Sequence, residues 1–341
     1  MAAMRDFLRL CASEFVTYPL AQELEQLTSL TDLSIQCEPL HLICGLPASD
    51  LARLSSLSAL RLLELRCSLT GLLPPEAISS MQQLISLRWE VYPPPGADEW
   101  VDDTLDDDEW EPPAKEEFPG MQPLALCTAL QHLSIVARDP VPPMSAEQVL
   151  SAWPRLRALR LQGERPWSSQ PFTQNAGFWQ GVARLRGLTR LYVSNVTGVA
   201  SQVLSTGLPP RLAVLQLQHY SAPVLPPLPP TLTWLDVSAA PQTNGSWVLP
   251  AVLSPLRVLS LSYHWLCPVS LDNVSVMVQL TALRLWSYNV AERLPTLLAT
   301  LSALETLSLP FNELWRLPRD LACLPSLRKL DLEGNYLSRV P

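Results

Sequence analysis

Apolar and polar residues follow one recurring pattern along the chain, L-x-x-L-x-L, in which Ile, Val or Trp can replace the last leucine. A chance leucine-rich helical protein would show a 3.6-residue period and no long repeat. Eight of the eleven intervals between copies measure 20 to 26 residues, and the longer ones indicate insertions. The first leucines of the twelve copies are Leu30, Leu60, Leu84, Leu130, Leu156, Leu188, Leu212, Leu232, Leu256, Leu280, Leu304 and Leu327.

Each copy predicts one short β-strand, because its fourth and sixth positions point to one side of an extended chain and their neighbours to the other. Parallel strands need crossover connections, and the rest of each repeat supplies one. No single repeat can bury its apolar edge alone, so neighbouring repeats must stack. The predicted fold class is an α/β repeat solenoid with a parallel concave sheet of about twelve strands, about 60 Å long.

The connections on the convex side are predicted to be mixed. Residues 146–153 and 296–302 suit short helices. The prolines in residues 208–210 and 225–230 favour polyproline II, which suits an extended return path. The convex side should therefore combine short helices, 3-10 turns and polyproline II segments.

The last two copies carry a longer pattern. Residues 304–318 read LETLSLPFNELWRLP and residues 327–341 read LRKLDLEGNYLSRVP, so that Asn312 and Asn335 occupy equivalent positions. On this pattern, residues 27–341 resemble the leucine-rich-repeat superfamily. The resemblance implies a horseshoe in which this asparagine hydrogen-bonds backbone groups of adjacent repeats.

The subclass follows from the same two copies. The Asn-x-Leu-x-x-Leu-Pro ending of residues 312–318, which residues 335–341 share with Val340 in place of the last Leu, is similar to that of the intracellular class found in Ras-linked and scribble-type scaffolds. The ten earlier copies carry other residues at the asparagine position. We therefore expect those repeats to be less regular than the last two.

The pattern divides the chain into four segments. Residues 1–26 hold no repeat, and their apolar residues at helical spacing predict a helical N-terminal cap. Residues 27–92 hold repeats 1–3, residues 93–120 form a proline-bounded insertion, and residues 121–341 hold repeats 4–12. The last copy ends without a polar capping segment, which favours a chain cut inside a repeat.

The insertion concentrates the acidity of the chain, whose net charge is −8. Residues 97–117 contain 11 acids and one base, and such like-charge repulsion predicts disorder. These acids do not match a calcium-binding loop, which needs Gly at its sixth position and Glu at its twelfth. Two interpretations stay open. The segment is a solvated loop, or Trp100 and Trp110, with Phe118, form a linear motif for a partner or for the solenoid's own basic residues.

Composition limits the classes of partner and the cellular compartment that we expect for this protein. Charged residues make up only 16% of the chain, and no Lys/Arg-rich run indicates nucleic acid or an anionic membrane. No apolar run approaches the ~18 residues of a membrane span, and charges interrupt any signal-peptide core. The seven cysteines are scattered, which favours free thiols in a reducing compartment. We expect a cytoplasmic protein, with the cytoskeleton or ciliary axoneme as the alternative.

The sequence holds no catalytic signature. It lacks GxSxG, P-loop, HExxH and kinase glycine-loop motifs, and its four histidines lie in different repeats. The cysteines form no CxxC metal site. We therefore expect no enzymatic activity, no cofactor, no metal and no small-molecule substrate.

Recognition is then expected on the concave face, where the third, fifth and seventh repeat positions point outward. Trp, Tyr and Arg are the residue types enriched at interface hot spots. The predicted function is a non-enzymatic scaffold or adaptor for a protein partner in intracellular signalling. An axonemal or cytoskeletal component and a ubiquitin-ligase substrate adaptor are the alternatives. The expected partner-binding residues are Arg88, Arg160, Arg190, Tyr192, Trp234, Arg284 and Trp286.

Overall fold

The chain divides into two compact units, residues 1–164 and residues 165–341. The repeat pattern does not predict this boundary, and each unit is described by itself. The computed structural model describes residues 7–12, 27–37, 54–67, 80–91, 122–137, 144–163, 175–194, 196, 198–205, 207–240, 247–262, 269–286, 300–316, 321 and 324–337.

A parallel sheet forms the centre of the first unit, and each of its strands pairs with the next one in chain order. Its described strands are β1 (Phe7–Ala12), β2 (Asp32–Cys37), β3 (Leu62–Cys67), β4 (Ser86–Val91), β5 (His132–Ala137) and β6 (Ala158–Gly163). The connections that the structure describes include the 3-10 turns Leu54–Ser56 and Gln122–Leu126 and the helix α1 (Ala146–Ala152). Helix α1 starts at a capping box, in which Ser145 accepts a hydrogen bond from the Gln148 backbone and the Gln148 side chain accepts one from the Ser145 backbone.

Strand β1 corrects the prediction of a helical N-terminal cap. Residues 7–12 are extended and pair with β2, with Leu8 aligned to Leu33 and Leu10 aligned to Ile35. The alternation Leu-Arg-Leu fits a strand, and the edge of β2 offers backbone donors and acceptors that a strand satisfies and a helix does not. The rest of residues 1–26 lies outside the described residues.

The second unit is built on a second run of parallel strands. In sheet order they are β7 (Arg190–Val193), β8 (Val214–Tyr220), β9 (Trp234–Ala239), β11 (Val258–Ser262), β13 (Ala282–Trp286), β14 (Thr306–Ser308) and β15 (Lys329–Asp331). A separate two-stranded sheet pairs β10 (Trp247–Val248) with β12 (Val269–Ser270). The helices are α2 (Ala176–Arg184) and α3 (Gly198–Leu204), and the 3-10 turns are Ala251–Leu253 and Asp272–Val276.

The twelve predicted strands are confirmed, and the predicted inward residues are buried in all of them except β15, where Leu330 is 40% exposed. In β11, for example, Leu259 and Leu261 are fully buried while Val258 and Ser260 are only partly covered. The predicted helix at residues 146–153 is also confirmed as α1. Residues 296–299 of the other predicted helix lie outside the described residues. The core is therefore a stack of leucine rows, one row for each buried repeat position.

Asparagine side chains hold the turns after the last two strands. Asn312 is fully buried, and its Nδ2 donates to the carbonyl oxygens of Leu285 (2.7 Å) and Pro310 (3.0 Å). Asn335 Nδ2 donates to Leu309 O at 2.7 Å. Each asparagine thus donates to the carbonyl oxygen of a buried leucine in the preceding repeat, and so links two repeats.

Backbone hydrogen bonds link neighbouring repeats where another residue replaces the asparagine. Val196, Tyr220 and Ala240 occupy the asparagine position after β7, β8 and β9, and all three are buried. Ala240 N donates to Tyr220 O at 3.1 Å. The register between β8 and β9 shifts at Leu217–Tyr220, and His219 has a φ of 54°. The departure from the asparagine pattern therefore appears here as a β-bulge.

Candidate functional site

Alternate strand residues project from the side of each sheet that faces away from the leucine core. Parallel pairing places equivalent residues in rows, so that Asp236, Ser260 and Arg284 lie side by side on β9, β11 and β13. We call the outward side chains of β7, β8, β9, β11, β13, β14 and β15 the second-unit face.

Two tryptophans project from the second-unit face. Trp234 begins β9 and Trp286 ends β13, and they are 39% and 50% exposed. Trp234 aligns with Ala282 through the intervening Val258. Two strand steps and four residues therefore separate the two tryptophans, a distance of about 16 Å. Large aromatic side chains left in water on an ordered sheet gain free energy when a partner covers them.

Two ionisable side chains, Asp236 and Arg284, lie two strands apart between the tryptophans. Burial raises the pKa of the Asp236 carboxyl, while a hydrogen bond from Ser260 and the positive charge of Arg284 oppose this rise. Arg284 itself is exposed. The site thus combines two aromatic surfaces with a half-buried carboxylate and an exposed guanidinium, which can bind a carboxylate or a carbonyl oxygen.

Phe311 extends the aromatic surface, although the repeat pattern does not predict a binding residue at this position. Its ring stacks on Trp286 with the centroids 5.6 Å apart and the planes 12° from parallel, and it is 45% exposed. Its φ is 55°, in the left-handed region where bulky residues are rare. The sequence signal was weak, because Phe311 follows the strand in a turn whose backbone angles the repeat pattern does not show.

The predicted residues of β7 lie on the same face, farther from the tryptophans. Arg190 is exposed and aligns with Val214, whereas Tyr192 is half-buried and aligns with Gln216. Val214 in turn aligns with Trp234. The structure therefore brings five of the seven predicted residues onto the second-unit face.

Arg88 and Arg160 belong to the first unit. They lie in one row on β4 and β6, aligned through Ser134 on β5. Arg160 is exposed and donates to Gln162 Oε1 at 2.7 Å. Arg88 instead pairs with Glu90 at 2.6 Å and lies 3.4 Å from the Glu64 carboxylate.

Arg66 completes this ionic network, which the repeat pattern does not predict. Its guanidinium lies 2.9 Å from Glu64 and 3.5 Å from Glu90, which is only 5% exposed. Ser34 Oγ donates to Glu64 at 3.1 Å. The charges of the two arginines and two glutamates cancel. Because Arg88 is held in this network, it is less available to a partner than the arginines of the second-unit face.

The remaining expectations concern the aromatic residues of the acidic insertion, metal binding and membrane spans. Trp100, Trp110 and Phe118 lie outside the described residues, so the linear-motif interpretation stays a prediction. Within the described ranges, no group of three His, Cys, Asp or Glu side chains could hold a metal ion. The helices that the structure describes include none that is long and apolar enough to cross a membrane.

Known proteins provide an independent comparison. Residues 278–337 match the family model described as Leucine rich repeat. The fold is similar to that of a leucine-rich repeat protein of Leptospira interrogans, at 20% identity and a TM-score of 0.53, over 98% of this chain and 80% of that one. No match to the chain is found among curated proteins.

Two further solved structures are similar at lower scores. The plant peptide hormone receptor RGFR1 in complex with RGF2 has 15% identity and a TM-score of 0.48, over 92% of this chain and 45% of that one. InlJ of Listeria monocytogenes has 16% identity and a TM-score of 0.48, over 93% of this chain and 61% of that one. This chain spans less than two thirds of either protein.

The family match and the similarity to the Leptospira structure establish the fold and its repeats. The family match covers the two copies with asparagine, Asn312 and Asn335, and the Leptospira protein has the same parallel-sheet repeat architecture. The predicted leucine-rich-repeat fold is therefore confirmed. The intracellular subclass is a finer assignment and stays a prediction.

Proposed function

We propose that this leucine-rich-repeat protein is a scaffold that binds a protein partner through the second-unit face. The observation that carries the proposal is the exposure of Trp234 and Trp286 on either side of the Asp236–Arg284 pair. Repeat solenoids present extended binding surfaces of this kind. Tryptophan and arginine are also the residue types that dominate binding energy at protein interfaces.

The exposed aromatic surface is large enough to dominate an interface. A tryptophan offers up to about 250 Å², so exposures of 39% and 50% leave roughly 200 Å² of the two rings together in water. Covering that area contributes about 5 kcal/mol at most. Even half of this value corresponds to a Kd change of roughly 60-fold.

Affinity capture of the full-length chain from its native cells tests the proposal. We compare wild type with Trp234→Ala/Trp286→Ala and with a control, Val224→Ala/Val248→Ala, whose residues are 54% and 58% exposed outside the second-unit face. The tryptophan variant should lose partners that wild type and control retain. Recovery of the same partners at the same levels by all three chains would refute the proposal.

The proposal includes a non-enzymatic role in the cytoplasm. Cys127 supports this compartment, because it is a buried free thiol of the kind that persists in a reducing environment. Imaging of the tagged full-length chain tests the location. In the part of the chain that the structure describes, no feature favours the axonemal or ubiquitin-ligase alternatives.

A further inference from the structure

An apolar row runs across four adjacent strands of the second-unit face. Val214, Trp234, Val258 and Ala282 are aligned with one another on β8, β9, β11 and β13, and all four are at least partly exposed. The next row along the same strands is polar, with Asp236 near its centre. The face therefore carries a strip of apolar side chains about 14 Å long, at right angles to the strands.

Arginines line the amino-terminal edge of the same strands. Arg186 and Arg211 lie in the turns before β7 and β8, Arg190 begins β7, and Arg257 directly precedes β11; all four are exposed. No described residue forms an ion pair with any of the four. No described acidic residue lies at this edge from β7 to β13. We call these four arginines the basic rim, which is positive in a chain of net charge −8.

We propose that the occupant of this surface is an acidic amphipathic helix of a partner protein, an inference that rests on the proposed function. The apolar row receives the hydrophobic side of the helix, and the basic rim pairs with its acidic side chains. Apolar contacts of this kind supply affinity, while charge complementarity selects the partner and orients it.

The spacing of the row favours a helix over an extended peptide. Neighbouring strands lie about 4.8 Å apart, and one helical turn rises about 5.4 Å, so a helix across the strands places one side chain per turn near each strand. Same-face residues of an extended peptide are about 6.6 Å apart, and they lose alignment within two strands. Three to four turns, or roughly 12 residues, would cover the row.

A protein segment fits the surface better than a nucleic acid does. Phosphates would pair with the basic rim, but Val214, Val258 and Ala282 offer nothing to a phosphate backbone and would stay in water. Bases stack on aromatic rings, and the apolar row holds one, Trp234. Single-stranded RNA is therefore the competing probe in the test.

Fluorescence anisotropy of the full-length chain with four labelled probes tests the inference. Three are helical peptides of about 18 residues: one of Leu and Glu, one of Leu and Lys, and one in which Gln replaces every Leu of the first. The fourth is single-stranded RNA. The Leu–Glu peptide should bind at least tenfold more tightly than the others, with an affinity that falls as salt rises.

Matched charge reversals locate the binding. Arg257→Glu should weaken the Leu–Glu peptide about fivefold and improve the Leu–Lys peptide. The control Arg316→Glu reverses another exposed charge, which follows β14 at the opposite edge, and it should change neither. The inference is wrong if the Leu–Glu peptide fails to bind, if the Leu–Lys peptide or the RNA binds as tightly, or if both reversals act alike.

Different results would refute the proposed function and the proposed helix-binding chemistry. If Trp234→Ala/Trp286→Ala removes native partners while Arg257→Glu leaves the Leu–Glu peptide unaffected, the face binds proteins but not by this chemistry. If the tryptophan variant keeps every partner, the proposed function itself is refuted.

Discussion

Replacing Asn312 tests how much free energy one side chain contributes to the contact between two repeats. Its Nδ2 is the donor to Leu285 O at 2.7 Å and to Pro310 O at 3.0 Å, and the side chain is fully buried. In Asn312→Ala both carbonyl oxygens lose this donor. Each stranded buried acceptor costs about 1–3 kcal/mol, so we expect a loss of roughly 2–5 kcal/mol.

Asn312→Asp separates the lost hydrogen bonds from the lost volume. The carboxylate has nearly the shape of the amide, yet when ionised it cannot donate, and it faces two carbonyl oxygens. Asn312→Asp should therefore be less stable than Asn312→Ala at pH 7. Burial would raise the pKa of the new carboxyl, so stability should partly return as the pH falls to about 4, where the protonated group donates one hydrogen bond.

Hydrogen exchange measured on peptides from residues 300–337 is the appropriate assay, because repeat arrays open locally. Exchange in Asn312→Ala should accelerate by roughly 30-fold or more, since each 1.4 kcal/mol is a factor of ten. Ser302→Ala, an exposed change in a turn of the same repeat, is the control. Unchanged exchange in Asn312→Ala, or an aspartate variant as stable as wild type, would refute the reasoning.

Two further predictions concern Gly334 and Cys127. Gly334 has a φ of 66°, and a Cβ there would overlap the Phe311 ring, so Gly334→Ala should destabilise residues 324–337 by about 1–3 kcal/mol. The added change Phe311→Ala should restore part of that loss in hydrogen exchange; equal exchange in Gly334→Ala and wild type would contradict the prediction. Burial raises the pKa of the Cys127 thiol to about 12, so its thiolate population at pH 8 is roughly a thousandfold below that of an exposed thiol. Peptide mass spectrometry should find Cys127 alkylated by iodoacetamide only after unfolding, and rapid labelling of the native chain would show that it is accessible.

The strands show where sequence patterns suffice and where they do not. Twelve strands follow from the leucine spacing, because a repeat of 20 to 29 residues with leucines at alternating positions is the pattern of a strand-forming leucine-rich repeat. Strand β1 does not, since six residues with apolar positions at Leu8, Leu10 and Cys11 fit a helix as well as a strand. Its pairing with β2 resolves the ambiguity through backbone hydrogen bonds that no local pattern contains.

The sequence likewise predicts one part of the candidate site, whereas another part depends on tertiary contacts. The outward direction of Trp234, Arg284 and Trp286 follows from strand alternation alone. Whether an outward side chain is available to a partner protein depends on the side chains beside it on adjacent strands. Arg88 meets Glu64 on the adjacent strand and is held there, whereas the arginines of the basic rim meet no described acid.

Leucine spacing alone was enough to establish the repeat, the strands and the side of the sheet to which each residue points, because these properties depend on local alternation and on a period in one dimension. Tertiary structure was needed to place Phe311 on Trp286, to bury Asp236 beside Arg284 and to align the apolar row with the basic rim. Such features depend on register between residues some 20 to 30 positions apart, and on turn angles that side-chain identity does not determine.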